Sequence, residues 1–235
     1  MTFNALVHDD INGGHDEDAE PAPSPFLIEP DTLSCSPRGE GARKRWRNAV
    51  FAVARKMLVE DGYRHFTVRR LSVQTKSSAQ NIYNNIGTKD DIIIKSFMNY
   101  NNVLLDRFGD RSCNPYVKSI IARHKEVSDY PEYARAVHDT LFSNINIYTA
   151  IQSQTIKSIA PFVRAELFRY NAQSVNYMRL SKLLAAIARQ SAREWLDGKC
   201  SAQEMLENSL ADGELCLLGA LSGRKGRWAQ SIGSE

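Results

Sequence analysis

The stretch "TVRRLSVQTKSSAQNIYNNIGTKDD", residues 67–91, contains the signals for two short helices and the start of a third. Thr67 is a suitable N-cap for the first helix, and Phe66 and Leu71 have the spacing of a hydrophobic staple around it. This helix can extend only to about Gln74, because the "TKSS" that follows is rich in turn-forming residues. The stretch therefore predicts a helix, a tight turn and a second helix.

The second short helix has a composition that local helix stability does not explain. Its N-cap is Ser77 or Ser78, and Gln80 would complete a capping box if Ser77 is used. The helix then collects three asparagines and a tyrosine before Gly87 ends it. Asn and Ser are poor helix formers because their side chains compete for nearby backbone groups. We therefore expect these polar side chains to serve a partner outside the helix.

Apolar spacing extends the helical pattern on both sides of this stretch. Upstream, apolar residues recur every three or four positions and predict a helix over residues 43–61, which Gly62 would end. Downstream, Thr88 and Asp91 have the S/T-x-x-D/E spacing of a capping box and would start a long fourth helix. The upstream apolar residues are Trp46, Val50, Val53, Ala54 and Met57.

The rest of the chain also has a helical pattern. Neither an alternating strand pattern nor an internal repeat occurs, so the predicted fold class is all-α. Ser201 and Glu204 have the spacing of a capping pair for the last helix, and the last two helices are amphipathic. The further helices are predicted near residues 114–127, 131–144, 149–170, 172–197 and 201–221.

Charge is distributed unevenly along the 235 residues. Residues 1–42 carry a net charge of −8, residues 43–95 carry +8, and the remainder carries +3. A basic segment that contains both short helices has the electrostatic footprint of a surface that binds phosphates. An ordinary solvated basic face is the alternative, and charge alone does not separate the two.

The two ends of the chain are predicted to lack a fold of their own. Residues 1–42 combine nine acidic residues with five prolines and are expected to be disordered, and residues 224–235 are expected to be a flexible tail. The acidic tail could fold over the basic segment and compete with a phosphate-bearing partner. A solubilising leader, or a start codon chosen too far upstream, is the simpler alternative.

Several classes of function lack support in the sequence. The four cysteines are widely spaced, which disfavours a disulfide framework or a zinc site, and we expect no cofactor. His124, Asp129 and His138 do not have metal-ligand spacing. The sequence has no phosphate-binding glycine loop, nucleophile elbow or H-E-x-x-H pair, so we do not expect an enzyme. The acidic start and the short apolar runs predict a cytoplasmic protein without a membrane span.

Binding to DNA would explain the composition of the second short helix. In a helix-turn-helix, the second helix enters the major groove. Gln and Asn side chains can bond bidentately to adenine edges, and hydroxyl and ammonium groups can bond phosphates. Ile82 would then face back into the domain. The sequence therefore predicts a helix-turn-helix protein that binds double-stranded DNA.

Residues 45–97 resemble the TetR-type transcriptional regulators. The resemblance lies in "AVARKMLVEDGYRHFTVRRLSVQTKSSAQNIYNNIGTKDDII", residues 52–93. It comprises an alanine-bearing first helix, an E-x-G end, T-V before the second helix, and T-K-D opening the fourth. Tyr83 stands late in the recognition helix, as is usual in that family.

The chain departs from the family's pattern at three positions. Lys76 stands where the family usually has the turn glycine, and a non-glycine residue in a left-handed conformation costs roughly 1 kcal/mol, so an altered turn is possible there. Gln80 replaces a frequent small residue, which we interpret as an operator preference of this protein. Ile86 replaces a common phenylalanine.

The resemblance implies a role for each residue that matches the family's DNA-binding motif. Hydroxyl and amide side chains would contact phosphates and bases, and the lysine at the start of the fourth helix would bond a phosphate with help from the helix dipole. The phosphate-bonding residues would be Thr67, Ser78 and Lys89, and the base-facing residues would be Gln80 and Asn81. Tyr83 and Asn84 would contact the DNA backbone. Arg43, Lys44 and Arg45 would reach along the DNA backbone or into the minor groove.

The resemblance also implies a domain organisation. A DNA-binding domain at 43–102, with its helix-turn-helix at 67–86, would precede a helical effector-binding and dimerisation domain at 103–223. One recognition helix discriminates few base pairs, so proteins of this type pair two helices across a palindromic operator. The helices near 172–197 and 201–221 would form a four-helix bundle in a homodimer. Core packing within one subunit is the alternative.

The resemblance further implies a pocket for a small-molecule effector. The protein would then be a repressor that its effector releases from the operator. The alternative is a TetR-like DNA-binding protein without such an effector, controlled by a protein partner or acting as an activator. Plain core packing is the alternative for each aromatic residue concerned. The expected pocket residues are Phe142, Tyr148, Phe162, Phe168 and Tyr177.

Overall fold

A computed structural model describes residues 21–28, 33, 39–108 and 114–221. These residues form nine helices and no strand, which confirms the predicted all-α fold class. None of these helices is long and apolar enough to cross a membrane. The helices are α1 (Glu40–His65), α2 (Val68–Gln74), α3 (Ala79–Asn85), α4 (Lys89–Phe108), α5 (Pro115–Asp129), α6 (Pro131–Ser143), α7 (Ile145–Arg169), α8 (Tyr177–Leu196) and α9 (Ala202–Leu221).

Three helix starts have the caps that the sequence predicts. The Thr67 hydroxyl accepts a hydrogen bond from a backbone N–H in the first turn of α2 at 3.2 Å. At the start of α4, the backbone N–H of Thr88 donates to Asp91 at 2.9 Å and the backbone N–H of Asp91 donates to the Thr88 hydroxyl at 3.3 Å. Ser201 and Glu204 form the same reciprocal pair at 2.7 and 3.2 Å before α9.

Two helix starts differ from the predicted positions because asparagines act as caps. The side-chain oxygen of Asn144 accepts hydrogen bonds from two backbone N–H groups, so α7 begins at Ile145 rather than near residue 149. Asn171 has a positive φ of 54° just after α7 ends. Asn176 then caps α8, which begins at Tyr177 rather than near residue 172. Asn is favoured at an N-cap because its side-chain oxygen accepts a backbone N–H, and it is one of the residues that adopt the left-handed conformation after a helix end.

The described residues fall into two compact units. The first contains the described residues up to Phe108 together with residues 121–153, and the second contains residues 114–120 and 154–221. The predicted domain boundary between residues 102 and 103 lies inside α4. The predicted tail at 224–235, and residues 1–20 of the predicted N-terminal tail, lie outside the described residues.

Helix α1 is the centre of the first unit. It packs against α2, α4 and α6. The sequence predicts that this helix ends at Gly62, whereas α1 continues to His65 with a kink at Gly62, whose φ of 72° interrupts the helical conformation. Large apolar side chains from α1 to α4 are fully buried around it. They include Trp46, Met57, Leu58, Leu71, Ile82, Ile92, Ile93 and Leu104.

Residues 21–28, which we call the N-terminal strap, belong to the first unit and lie against its helices. Ala22 is 3% exposed and Pro25 is buried, and Phe26 packs against the core. The strap therefore differs from the disorder that acid and proline content predicts for residues 1–42. The reason is that the strap finds hydrogen-bond donors on α1 and α4 and at the start of α6, an acceptor on α5, and aromatic rings on α6, and such partners offset the cost of ordering the chain.

The second unit has α8 and α9 packed against each other. Tyr116 of α5 contacts Gly213 of α9, and its hydroxyl donates to the backbone oxygen of Ser209 at 2.7 Å. Several large apolar side chains of α8 and α9 remain exposed in this single chain, at 69% for Leu215. The others are Tyr177, Met178, Leu183 and Leu218.

Candidate nucleic-acid interface

The turn between α2 and α3 keeps its geometry without a glycine. The backbone N–H of Lys76 donates to Val73 at 3.2 Å, and that of Ser77 donates to Ser72 at 3.0 Å. These two bonds form a Schellman motif, in which the C′ residue usually is a glycine with positive φ. Lys76 occupies that position with a φ of 50°. The left-handed conformation is thus retained by a residue that has a Cβ.

One local and one long-range side-chain hydrogen bond fix the turn. The hydroxyl of fully buried Thr75 donates to the backbone oxygen of Leu71 at 2.8 Å. The indole N–H of Trp46, on α1, donates to the hydroxyl of Ser77 at 3.1 Å. The orientation of α3 relative to α1 is therefore fixed at its first turn.

Ser78 is the N-cap of α3. Its hydroxyl accepts a hydrogen bond from the backbone N–H of Asn81 at 3.1 Å. The alternative capping box from Ser77 to Gln80 does not form. Ser77 is the partner of the indole N–H of α1, and Gln80 donates to the side chain of Asn84 at 2.7 Å.

Helix α3 is apolar on one face and amide-rich on the other. Ile82 is fully buried, as predicted, whereas Gln80, Asn84 and Asn85 are exposed. The amides pair along the helix, with Gln80 donating to Asn84 at 2.7 Å and Asn85 donating to Asn81 at 2.6 Å. An amide has two N–H donors and a carbonyl acceptor, so one such bond leaves capacity for a second partner.

The three hydroxyl-bearing residues predicted to contact DNA are exposed. Tyr83 is 48% exposed on α3. Thr67 and Ser78 are exposed N-caps, and each accepts a backbone N–H through its hydroxyl oxygen. Because capping uses the oxygen as an acceptor, the O–H of each cap can still donate to a phosphate. The same two groups can therefore stabilise the helices and bind a nucleic acid.

The three basic residues at the start of the unit belong to a helix. Arg43, Lys44 and Arg45 are exposed in the first turns of α1, which begins at Glu40. The next residue, Trp46, contacts Ser77 just before α3. These three cations therefore lie in the region of the unit from which α3 starts, on a rigid element rather than on an extended arm.

The ammonium of Lys89 is half-buried and already hydrogen-bonded within the protein, so it is less accessible to a phosphate than that of an exposed lysine. Its ammonium donates to the backbone oxygen of Tyr63 at 2.6 Å and lies 4.0 Å from the centre of the Tyr63 ring. Partial burial lowers the pKa of Lys89. An ammonium has three donors, so one bond to a carbonyl leaves two for another partner.

A polar network that the sequence does not signal lies beside Lys89. The Tyr63 hydroxyl donates to Asp90 at 2.9 Å, and the amide of Asn144 donates to the Tyr63 hydroxyl at 2.6 Å. The network links the end of α1, the start of α4 and the start of α7. Its members are up to 81 residues apart in sequence, so no local motif could have indicated them.

The basic character of the surface comes from fewer residues than the sequence suggests. Arg55 is only 5% exposed, so its charge lies inside the unit. Arg70 pairs with Asp61 at 2.8 Å. Exposed cations that sequence reasoning did not single out also lie on or near α2 and α3, and they are Arg64, Arg69, Lys76 and Lys95.

The predicted effector-pocket residues are divided between the two units. Phe142 and Tyr148 belong to the first unit, and Phe162, Phe168 and Tyr177 belong to the second. Phe142, Phe168 and Tyr177 are exposed in this single chain, with Phe168 at 73%, whereas Tyr148 and Phe162 are half-buried.

The residues considered as metal ligands have other partners. Asp129 accepts the backbone N–H of Ala22 at 2.7 Å, His124 lies 3.3 Å from the Ser128 hydroxyl, and His138 stacks on Phe142. Burial lowers the pKa of His124. Within the described part of the chain, no three metal-ligating side chains cluster in a way that could hold an ion.

The chain was compared with protein-family models, curated proteins and solved structures, and none of these comparisons finds a match.

Proposed function

We propose that this protein is a sequence-specific transcriptional regulator of the TetR type, in which α2 and α3 form a helix-turn-helix and α3 enters the major groove. One observation carries the proposal. Helix α3 buries Ile82 and exposes a row of amides, inside the segment of net charge +8. Asn is a poor helix former, and each i, i+4 amide pair returns only about 0.2 to 0.5 kcal/mol to the helix, whereas amides are the side chains that read adenine edges.

The proposed roles follow from the chemistry and position of each side chain. Gln80 and Asn81 read base edges. Asn84, which pairs with Gln80, contacts the DNA backbone together with Tyr83. The two cap hydroxyls and the ammonium of Lys89 bind phosphates. Phosphate contacts set the register of the helix, and base contacts supply specificity. Arg43, Lys44 and Arg45 extend the phosphate-binding surface along the DNA from the first turns of α1.

We infer that the protein works as a homodimer through α8 and α9. Large apolar side chains on these two helices are exposed in the single chain, among them Leu183, Leu215 and Leu218. Burying such side chains against a second copy is favourable by about 25 cal/mol per Å² of apolar area. A two-fold dimer would present two copies of α3 to the two halves of a palindromic operator.

In the proposed mode of action, the dimer represses transcription until a small-molecule effector lowers its affinity for the operator. The alternative is regulation by a protein partner, or action as an activator, with the same DNA-binding surface. The exposure of Phe168 favours that alternative for the second unit, because an exposed aromatic side chain is a typical anchor at a protein interface.

Selection of bound fragments from a random DNA library, with purified full-length protein at physiological salt, tests the proposal. The expected result is enrichment of a palindromic site that is bound by two copies of the chain. Binding that is equal for all sequences and falls steeply with salt would reduce the protein to a non-specific binder of phosphates, and the proposal would then be wrong.

A further inference from the structure

The N-terminal strap lies in a groove formed by five side chains of the first unit. The groove residues are Arg55 on α1, Tyr100 on α4, Asp129 at the end of α5, and Tyr130 and Tyr133 around the start of α6. We call this the strap groove. Because its residues come from four parts of the unit, the groove exists only in the folded chain.

The strap groove binds the backbone of the strap through side chains. The Asp129 carboxylate accepts the N–H of Ala22 at 2.7 Å, and the Tyr130 hydroxyl donates to the Ala22 carbonyl at 3.1 Å. The Tyr100 hydroxyl donates to the carbonyl of Pro23 at 2.9 Å. Backbone groups of a non-helical segment are thus bonded one after another by the groove.

Arg55 gives the groove a buried donor that requires a carbonyl. The side chain is 5% exposed, and its Nε–H donates to the carbonyl of Pro25 at 2.6 Å. The same guanidinium donates to the carbonyl of Ser96 at 2.8 Å and lies 5.4 Å from the centre of the Tyr100 ring. Burial lowers its pKa. A buried charged donor is costly unless it is hydrogen-bonded, so the strap carbonyl completes this site.

Aromatic rings of the groove contact Phe26, which follows Pro25, the last proline of the strap. Phe26 packs edge-to-face against Tyr130, with centroids 6.5 Å apart, and against Tyr133, with centroids 6.0 Å apart. Tyr133 in turn packs edge-to-face against Tyr100 at 5.2 Å. Edge-to-face pairs of this kind add specificity to the burial of apolar area.

This combination has the chemistry of a proline-rich peptide site. Proline-rich segments keep their carbonyls free of internal hydrogen bonds and lose little entropy on ordering, and aromatic-lined grooves with hydroxyl donors recognise them. Within the strap, the backbone N–H of Leu27 donates to the carbonyl of Ser24 at 3.3 Å and closes a turn around Pro25 and Phe26. We propose that the strap groove is a peptide-binding site for a proline-containing segment that ends in a turn with an aromatic residue, with residues 22–26 of this chain as its ligand. The strap is bound there as a ligand and is not needed for the helical fold.

The test uses the full-length protein with a specific protease site inserted between residues 34 and 38. The probe is a fluorescent peptide of residues 20–29, and its binding is followed by polarisation before and after cleavage. Uncut protein should not bind the probe, because its own strap fills the groove. Cleaved protein, freed of the fragment by dilution and gel filtration, should keep its helical circular dichroism and bind the probe. A Phe26→Ala probe should bind about tenfold more weakly or worse.

Each other outcome decides the question as well. A fragment that stays bound through gel filtration supports a non-covalent site if the Phe26→Ala chain releases its fragment, and retention of the Phe26→Ala fragment as well would overturn the proposed recognition of the aromatic residue. Loss of helical signal on cleavage would show that the strap belongs to the fold, and the proposal would be overturned. Equal binding of the wild-type probe, the Phe26→Ala probe and a scrambled probe would overturn it too, as would no binding to the cleaved protein or equal binding to the uncut protein.

Discussion

At the scale of single residues, Lys76 carries the clearest local cost. It holds a φ of 50° in the turn before α3, where a side chain with a Cβ is strained by roughly 1 kcal/mol. Lys76→Gly should therefore raise the free energy of unfolding by up to about 1 kcal/mol, less the entropy that glycine adds to the unfolded chain. Urea titration followed by circular dichroism measures the change.

The matched control is Lys76→Ala, which removes the same charge and keeps the Cβ. It should give none of the stabilisation. Equal stabilisation by Lys76→Ala and Lys76→Gly would mean that charge, rather than backbone conformation, sets the cost at this turn.

Glu126 makes the stability of the first unit depend on pH. The side chain is 7% exposed, and burial raises the pKa of its carboxyl, with a smaller opposing effect from Arg123. Since the folded-state pKa lies above the unfolded one, the stabilising contribution is complete below the unfolded pKa of about 4.3 and is lost as pH rises through the folded pKa. Each unit of that difference corresponds to about 1.4 kcal/mol.

The substitution Glu126→Gln should remove this dependence. We expect the variant to exceed the wild type in urea midpoint at pH 8, with the difference shrinking towards pH 4, because glutamine stays neutral throughout. A variant that is less stable at pH 8 by as much as at pH 4 would show that the carboxyl has a structural partner that glutamine cannot replace.

At the scale of elements, the sequence predicts what is encoded locally. The caps at Thr67, at Thr88 with Asp91, and at Ser201 with Glu204 involve residues three apart, and the structure forms all three. The starts of α7 and α8 were misplaced because Asn caps are harder to recognise in a polar connection than Ser or Thr followed by an acid. The buried face of α3 was predictable, since Ile82 stands alone among polar residues.

The strap was not predictable from its own sequence. Composition alone predicts disorder for a segment rich in proline and acid. Its partners lie 30 to 108 residues further along the chain, as the bonds to Arg55 and Tyr130 show.

The amide pairs on α3, by contrast, could have been predicted from the sequence, since Gln80 with Asn84 and Asn81 with Asn85 have the i, i+4 spacing of helical neighbours.

The packing of α9 depends on a glycine. A Cβ at Gly213 would collide with the ring of Tyr116, whereas a Cβ at Gly219, on the same helix, would meet open space. Gly213→Ala should lower the free energy of unfolding by about 1 to 3 kcal/mol through overpacking. In the monomeric chain, Gly219→Ala should raise it by about 0.5 to 1 kcal/mol, because alanine is the better helix former.

Thermal and urea unfolding of the two variants measure this difference. Similar stabilisation by both alanines would mean that Tyr116 can move aside without cost. The pair is a sensitive comparison, because both changes add one methyl group to the same helix.

At the scale of the whole molecule, dimerisation through α8 and α9 has a direct test. Leu215 is 69% exposed on α9, and Leu215→Glu would place a charge in the proposed interface. Analytical ultracentrifugation should show a shift from dimer to monomer, with dimer affinity lowered by about tenfold or more. Ile145→Glu is the matched control, because Ile145 is exposed to a similar degree, 71%, on a different helix.

The control variant should remain dimeric. If Leu215→Glu sediments as the wild type does, or if both variants dissociate, the proposed surface is wrong. The exposure of Phe142 and Phe168 could not be predicted to the same degree, because it depends on packing that no sequence pattern specifies.

The central claim is that α3 reads bases through its amides, and one measurement tests it most directly. Selection and sequencing of bound DNA is carried out in parallel for the wild type, Gln80→Ala and the control Gln74→Ala, which removes an exposed glutamine from the end of α2. We predict a palindromic consensus for the wild type and the control. For Gln80→Ala we predict the same half-site spacing, weaker binding by about 1 to 3 kcal/mol, and lost preference at one symmetric pair of positions. An unchanged consensus for Gln80→Ala, or no consensus for the wild type, would contradict the account.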